Sequence, residues 1–178
     1  MSIRAPALCA LAALILASPA GAQDIIGTAT VIDGDTLRIG ATTIRLYGID
    51  APEKRQTCRS ADGTIWQCGL AAWTRLEALT LDHKIACHRT TDDSDQPIPD
   101  DRYGRMIAIC GVVAFGRISR PSLNARLVEE GLAIAYRRYS DMFESEEFLA
   151  RRERLGIWRG QFDPPEAWRH RRKARSRP

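Results

Sequence analysis

Two short segments hold residues that could do chemistry. The stretch Thr43 to Gln56, TIRLYGIDAPEKRQ, sets Arg45, Asp50 and Glu53 close together on and just beyond an apolar run. Upstream, IDGDT places Asp33 and Asp35 on either side of Gly34. Clustered carboxylates are costly away from water unless something neutralises them. On exposed loops water and salt do so, but Asp35 and Asp50 flank apolar strand residues, which holds both near a barrel surface. Two carboxylates beside a carbonyl and waters make a site for a hard cation such as Ca2+ or Mg2+. The second segment, DRYGRMIA, supplies Arg102, Tyr103 and Arg105. Arginine forks grip phosphoryl oxygens bidentately, so acids with two fixed arginines point to a phosphate site. The two halves lie about fifty residues apart, and only a fold can join them. Taken alone, Arg45 also reads as a structural ion-pair partner.

The elements around these residues are short. IIGTATVIDGDTLRIGATTIRLYGID predicts three strands, about 25–33, 35–39 and 43–49, with a bulge or bend at Gly34 and a turn at Gly40. CGLAAWTRLEALTLDH predicts a helix with Leu70, Trp73, Leu76 and Leu79 on a common face. KIACHR and RYGRMIAICGVVAF read as strands on either side of the Asp- and Pro-rich loop TTDDSDQPIPDD. SLNARLVEEG reads as a short helix capped by Ser122 and ended by Gly131. LAIAYRR is expected as a further strand, and DMFESEEFLARRERLG as a helix capped by Asp141 and stopped by Gly156. Five or so strands joined partly by tight turns fit an α+β chain, mainly a five-stranded barrel of the OB kind with about three helices packed outside. Parallel α/β is disfavoured, because tight turns cannot make parallel crossovers. The four tryptophans, Trp66, Trp73, Trp158 and Trp168, read as core or arm packing. Arg137–Arg138 fits either a solvated face or a phosphate track.

Bulk properties bound the class. The chain has 178 residues, 44% of them hydrophobic, enough for one compact domain. Residues 1–22 combine Arg4, an apolar run and a small-residue A-x-A end, the pattern of a secretory signal peptide. An uncleaved anchor is the rival reading, but the run is short for a membrane span. The expected organisation is therefore a signal over 1–22, a folded domain over 23–160, and an extended arm with a disordered basic tail over 161–178. An exported protein, periplasmic or secreted, follows. Cys58, Cys68, Cys87 and Cys110 remain beyond the signal. Two disulfides are expected in an oxidising compartment, with Cys58–Cys68 and Cys87–Cys110 preferred among three possible pairings. A zinc site is disfavoured, since there is no C-x-x-C and His83, His88 and His170 lack ligand spacing. The formal charge is +4, yet six basic residues lie in the last ten positions. The body from Gln23 to Trp168 carries 19 basic against 22 acidic residues, so the cationic element is the tail. A solvated tail is the plain reading, attraction to nucleic acid or an anionic surface the functional one.

The pieces VIDGDT, IRLYGIDAPE, CGLAA, DRYGR, LVEEGLA and RLGIW, in this order and spacing, resemble the thermonuclease (staphylococcal or micrococcal nuclease) family from about Gly27 to Trp158. The resemblance implies an OB-type barrel with three helices and Ca2+-dependent hydrolysis of DNA and RNA that leaves 3′-phosphate ends. It implies Asp35 and Asp50 as carboxylate ligands of Ca2+, with the carbonyl of Ala51, where the family usually has threonine, completing the shell. Glu53 matches the residue that orients or deprotonates the attacking water, and Arg45 and Arg105 match the arginines on the scissile phosphate. Tyr103 and Tyr136 resemble tyrosines lining the nucleotide site, Tyr136 being equally readable as partly core. Asp33 stands behind the ligands and is not one of them. DNA and RNA are then the partners, with no membrane span and a monomer expected. The alternative is a non-catalytic OB module binding nucleic acid or a protein. Chains of that kind lose the acids or an arginine, whereas here Asp35, Arg45, Asp50, Glu53 and Arg105 are all present. The mature cysteines, the Asp-rich loop 92–101 and the acidic body depart from the family's best-known members.

Overall fold

The computed structural model describes residues 24–175. Strand β1 (Ile25–Asp33) alternates between half-buried and exposed residues, the period-two pattern of a strand with one face on a core. It pairs antiparallel with β2 (Thr36–Ile39), which turns at Gly40 into antiparallel β3 (Thr42–Leu46). The register of β1 against β2 shifts between Val31 and Asp33, the bulge expected beside Gly34. On its other edge β1 pairs with β7 (Lys84–Arg89), and β7 with β8 (Met106–Ala114). A parallel pairing of β3 with β8 closes the barrel and sets Arg45 opposite Ile107. Five strands thus form a closed barrel within an α+β fold, as expected from the short strands and tight turns. The closing seam joins the two chemistry-bearing segments.

Leu37, Ile44, Leu46, Ile85, Met106 and Ala108 fill the barrel. Helix α1 (Cys68–Thr80) covers one side, α2 (Leu123–Glu129) and α3 (Glu144–Arg152) another. Ser122 caps α2 as expected, accepting the Ala125 amide at 3.1 Å. The buried Asn124 of α2 ties the seam: its Oδ1 accepts the Cys110 amide at 3.0 Å, and its Nδ2 donates to the Tyr47 carbonyl at 2.9 Å. The smaller pieces are β4 (Ile49–Asp50), paired with β10 (Ile134–Ala135), and β9 (Arg117–Ile118), which makes a hairpin with β8. β5 (Cys58–Ser60), β6 (Ile65–Trp66) and β11 (Gly160–Gln161) form a separate small sheet. That sheet has its own apolar cluster, where Cys58, Cys68 and Ile157 pack against Trp66, Trp158 and Phe162.

Both preferred disulfides are formed, Cys58–Cys68 and Cys87–Cys110. The second joins direct register partners on β7 and β8. Closing loops of these lengths removes unfolded-state entropy worth about 2.5–3.5 kcal/mol each.

Four local expectations are corrected. Leu70 is exposed and Trp73 only half-buried; α1 packs through Gly69, Ala72, Leu76 and Thr80. Asp141 does not cap α3, whose N-cap is Phe143 without a side-chain bond. LAIAYRR is a strand only over Ile134–Ala135, because the chain turns at Arg137 to start the approach to α3. The arm and tail over 161–178 are not extended throughout, since Pro165–Arg175 forms helix α4, the fourth α-helix among the described residues. Proline is pre-organised for the first helical position, and Glu166 favours the first turn. The signal-peptide segment 1–22 lies outside the described residues.

Candidate active site

The strand β3 carries Arg45 outward between two buried acids. Its Nη1 lies 2.9 Å from Asp35 Oδ2, and its Nη2 donates to Asp50 Oδ1, also at 2.9 Å. Asp35 is itself fixed: Thr36 Oγ1 donates to its Oδ1 at 2.9 Å, and the buried Ala51 amide to its Oδ2 at 3.3 Å. Asp50, on β4, is wholly inaccessible. Burial pushes its carboxyl above the usual range and Asp35 adds to this, although Arg169 and Arg45 pull the other way. Asp33, its Oδ1 bonded to the Gly34 amide at 2.9 Å, is raised to about 6, chiefly by burial and then by repulsion from Asp35 and Glu53. Arg45 remains firmly cationic: burial opposes its charge, but Asp35 and Asp50 outweigh that cost.

Glu53 leaves β4 through Ala51 and Pro52 into a tight loop. The Gln56 amide donates to the Glu53 carbonyl at 2.6 Å, and the Glu53 amide to Gln56 Oε1 at 3.3 Å. The first turn of α1 lies directly on this loop. A Cβ at Gly69 would stand 1.7 Å from the Glu53 carbonyl oxygen, so only glycine permits the approach. Gly34 plays a similar part, its hydrogens facing the methyls of Ala51 and Ala72. Backbone packing thus fixes Glu53 beside the two aspartates.

From the other side of the seam comes Arg105, just before β8. Asp101 holds it by Oδ2, at 2.7 Å from Nε and 2.6 Å from Nη2, while Oδ1 accepts the amides of Tyr103 and Arg105. Arg105 Nη1 reaches Thr36 Oγ1 at 3.3 Å, so a chain of polar contacts runs from Arg105 through Thr36 to Asp35. Tyr103 is exposed at the rim, its ring flanked by Arg102 and Arg105 at 4.9 and 5.4 Å. Tyr136 is half-buried across the groove, its ring centroid 5.2 Å from that of Tyr139. The Asp-rich loop is largely self-contained, with Asp100 paired to Arg89 and Asp92 accepting turn amides. The Arg137–Arg138 pair divides: Arg137 binds Glu144 and the buried Glu147, while Arg138 faces the groove near Glu166.

Of the expected polar side chains, Asp33, Asp35, Arg45, Glu53, Tyr103, Arg105 and Tyr136 border one groove of about 700 Å³, whereas Asp50 is wholly buried and does not line it. Sequence reasoning missed Arg169. From α4 it donates to both oxygens of Asp50 and to Glu53 Oε1, each at 3.0 Å. Glu166, one helical turn earlier, accepts from the Tyr136 hydroxyl at 3.2 Å. The available signal is PPEAW, a helix start within the segment expected as an extended arm.

The donors around Asp35 and Asp50 are oxygens, the set a hard divalent cation prefers. Asp33, Asp35, Asp50 and Glu53, when ionised, outnumber Arg45, the arginine of the barrel strand among them, by three charges. A dication on these acids would offset most of that excess. The donor chemistry thus fits a metal of this kind, while among the described residues no three acids converge into a ready-made ligand cluster.

Fold and site together define a closed-barrel protein with a carboxylate and guanidinium groove suited to a phosphorylated substrate. The chain belongs to the staphylococcal nuclease homologue family, whose model matches residues 43–160. It is a hydrolase of the phosphodiesterase class, acting on nucleic acids. It is 34% identical, over 85% of its length and 74% of the relative's, to a protein of Rhizobium meliloti (strain 1021) named succinoglycan biosynthesis protein ExoI. Protein ParB of Escherichia coli is 34% identical over 96% of this chain and 92% of its own. Micrococcal nuclease of Shigella flexneri is 31% identical over 96% and 93%.

Proposed function

We propose that the protein is an exported Ca2+-dependent nuclease that hydrolyses phosphodiester bonds of DNA or RNA and leaves 3′-phosphate ends. The observation that carries this reading is the bridging of Asp35 and Asp50 by Arg45, with Arg105 joined to Asp35 through Thr36. Asp35, Asp50 and the Ala51 carbonyl would hold the cation, which when bound supplies Lewis-acid polarisation of a phosphoryl oxygen. Glu53 takes a proton from the attacking water as its oxygen bonds to phosphorus, a step typically worth 10²–10⁴-fold. Arg45 and Arg105 meet the charge that grows on the equatorial oxygens of the pentacoordinate phosphorus. The bond to the 5′ oxygen then breaks; that oxygen takes a proton from solvent, and the phosphate stays on the 3′ side. Tyr103 and Tyr136, flanking the groove, offer ring faces and a hydroxyl to the adjoining nucleotide. Two disulfides support residence in an oxidising compartment, and no described helix is long and apolar enough to cross a membrane.

The test is a digest of end-labelled DNA and RNA with added Ca2+ or with EGTA. Cleavage that needs Ca2+ and yields 3′-phosphate termini is expected. Cleavage indifferent to the chelator removes the metal's role, and nucleic-acid binding without cleavage by the oxidised, Ca2+-supplied protein makes the chain a binding module. Arg105→Ala and Glu53→Gln are expected to keep the wild-type melting temperature within a few degrees, since surface-facing changes of this kind cost about 0.5 kcal/mol. Each should lose at least 100-fold in kcat, a rough loss in line with removing one charge-stabilising or proton-accepting group.

A further inference from the structure

Helix α4 places a guanidinium where the acids would receive a cation, and we propose that it is a latch whose Arg169 competes with the divalent ion for Asp50 and Glu53. The inference rests on the metal-dependent reading above.

The geometry is that of a fork on a carboxylate. Both Nη atoms of Arg169 engage Asp50, one oxygen each, and Nη1 adds Glu53 Oε1, all at 3.0 Å. Asp50 Oδ1 already accepts Arg45, so its usual two acceptor sites are filled while α4 is docked. A dication sharing these oxygens would lie against a fixed positive charge in a site of reduced dielectric, where like charges repel strongly. Arg169 therefore satisfies the acids in the absence of metal and has to give way when metal arrives.

Release of α4 needs little else to break. Among its described side chains only Pro165 is buried. The remaining ties are polar and partly exposed: Tyr136 to Glu166 at 3.2 Å, Arg138 to Glu166 at 3.5 Å, and Arg171 to Asp163 in the segment before the helix, an ion pair that can move with α4's first turn as a hinge. An isolated helix of 11 residues is marginal in water, so it persists here through its docking. The segment just before it is anchored. Buried Gln56 donates to the Asp163 carbonyl at 2.7 Å, and Phe162 stacks edge-on to Trp158 with centroids 4.9 Å apart. A tethered helix with an unanchored body can leave the groove and return.

Two measurements without substrate test this: calorimetric Ca2+ titration of the wild type and Glu166→Ala, and hydrogen exchange of amides 165–175 with and without Ca2+. Glu166→Ala removes an acid near the groove, so charge alone would weaken cation binding. The latch gives the opposite sign, because loosening α4 must tighten Ca2+ by the same coupling, about tenfold. Ca2+ should also speed exchange in α4 of the wild type. Unchanged or weaker Ca2+ binding by Glu166→Ala, or an α4 equally protected with Ca2+ bound, overturns the latch and leaves the metal reading standing. If neither protein binds Ca2+, the metal reading fails and takes the latch with it.

Discussion

Each acid and arginine of the groove is held by a second polar residue, and these holders are the least legible part of the sequence. Asp35, Arg45 and Asp50 could be read because they interrupt apolar strands, where a charge needs a reason. Asp101 sits in a loop already crowded with aspartates, and its spacing from Arg105 carries no signal of its own. Partial burial pushes its carboxyl up, yet bonds from the Arg105 guanidinium and from the amides of Arg105 and Tyr103 outweigh this and hold it below the usual carboxylate range. A depressed carboxyl contributes stability above its unfolded pKa and loses it only as pH falls through the lower folded value. The Asp101–Arg105 pair is therefore ionised throughout the neutral range, and acid below the ordinary carboxylate range is what breaks it. Asp101→Asn reproduces that break at neutral pH: the two amides keep an acceptor, but the guanidinium loses its charged partner. The expected result is a kcat lower by about 10–100-fold, since small misplacements of a phosphate-binding group cost that much. Stability should change by less than about 1 kcal/mol, as for a partly exposed ion pair. Steady-state kinetics beside a melting curve separates the two, and a kcat within twofold of wild type would show that Asp101 does not position Arg105.

At the scale of elements, the strands and their tight turns were readable because alternation and Gly40 allow few other structures. The face of α1 was not. Large apolar residues at helical spacing suggested Leu70, Trp73, Leu76 and Leu79; Leu76 is buried and Leu79 packs on the core, but the start of the helix lies too close to the barrel and to the Glu53 loop for bulk there. Gly69 and Ala72 take the contact, and Trp73 turns outward to meet the Lys54 ammonium 3.5 Å from its ring centroid. A contact through small residues has a weak hydrophobic signature by nature, which is why periodicity pointed elsewhere. Its consequence is testable with Gly69→Ala. The added methyl collides with the Glu53 backbone, not with a side chain that could rotate away. Overpacking of this sort costs about 1–3 kcal/mol. Because the atom struck belongs to Glu53, activity measured well below the melting temperature should fall at least tenfold, an order typical of a shifted general base. A variant that melts early but keeps full kcat at low temperature would mean that α1 supports the fold without setting Glu53.

The whole molecule gathers a site from segments that are distant in sequence by closing a barrel, and that closure followed from strand count and turns alone. The same reading assigned the basic tail to solvent, because six cations in ten positions have no apolar stripe to bury. Composition records charge but not where a countercharge waits, and the four groove acids leave an excess that one arginine cannot balance. Metal binding should therefore act on global stability. The proposed ligands lie in the turn before β2, on β4 and just after it, the two acids held by Arg45 of β3, and β3 forms the seam with β8, so a cation bound there would oppose opening of the barrel as one unit. At Ca2+ a hundredfold above its dissociation constant, linkage adds about 2.7 kcal/mol, which for a domain of this size raises the midpoint by roughly 5–10 °C. Asp50→Asn should abolish that rise. It should also lower the metal-free midpoint, because removing one partner of a buried ion pair costs about 3–5 kcal/mol. Thermal unfolding of both proteins in EGTA and in a Ca2+ series measures these effects together. An Asp50→Asn protein that gains as much from Ca2+ as the wild type would place the cation elsewhere on the surface, and the acids between Arg45 and Arg169 would then be structural.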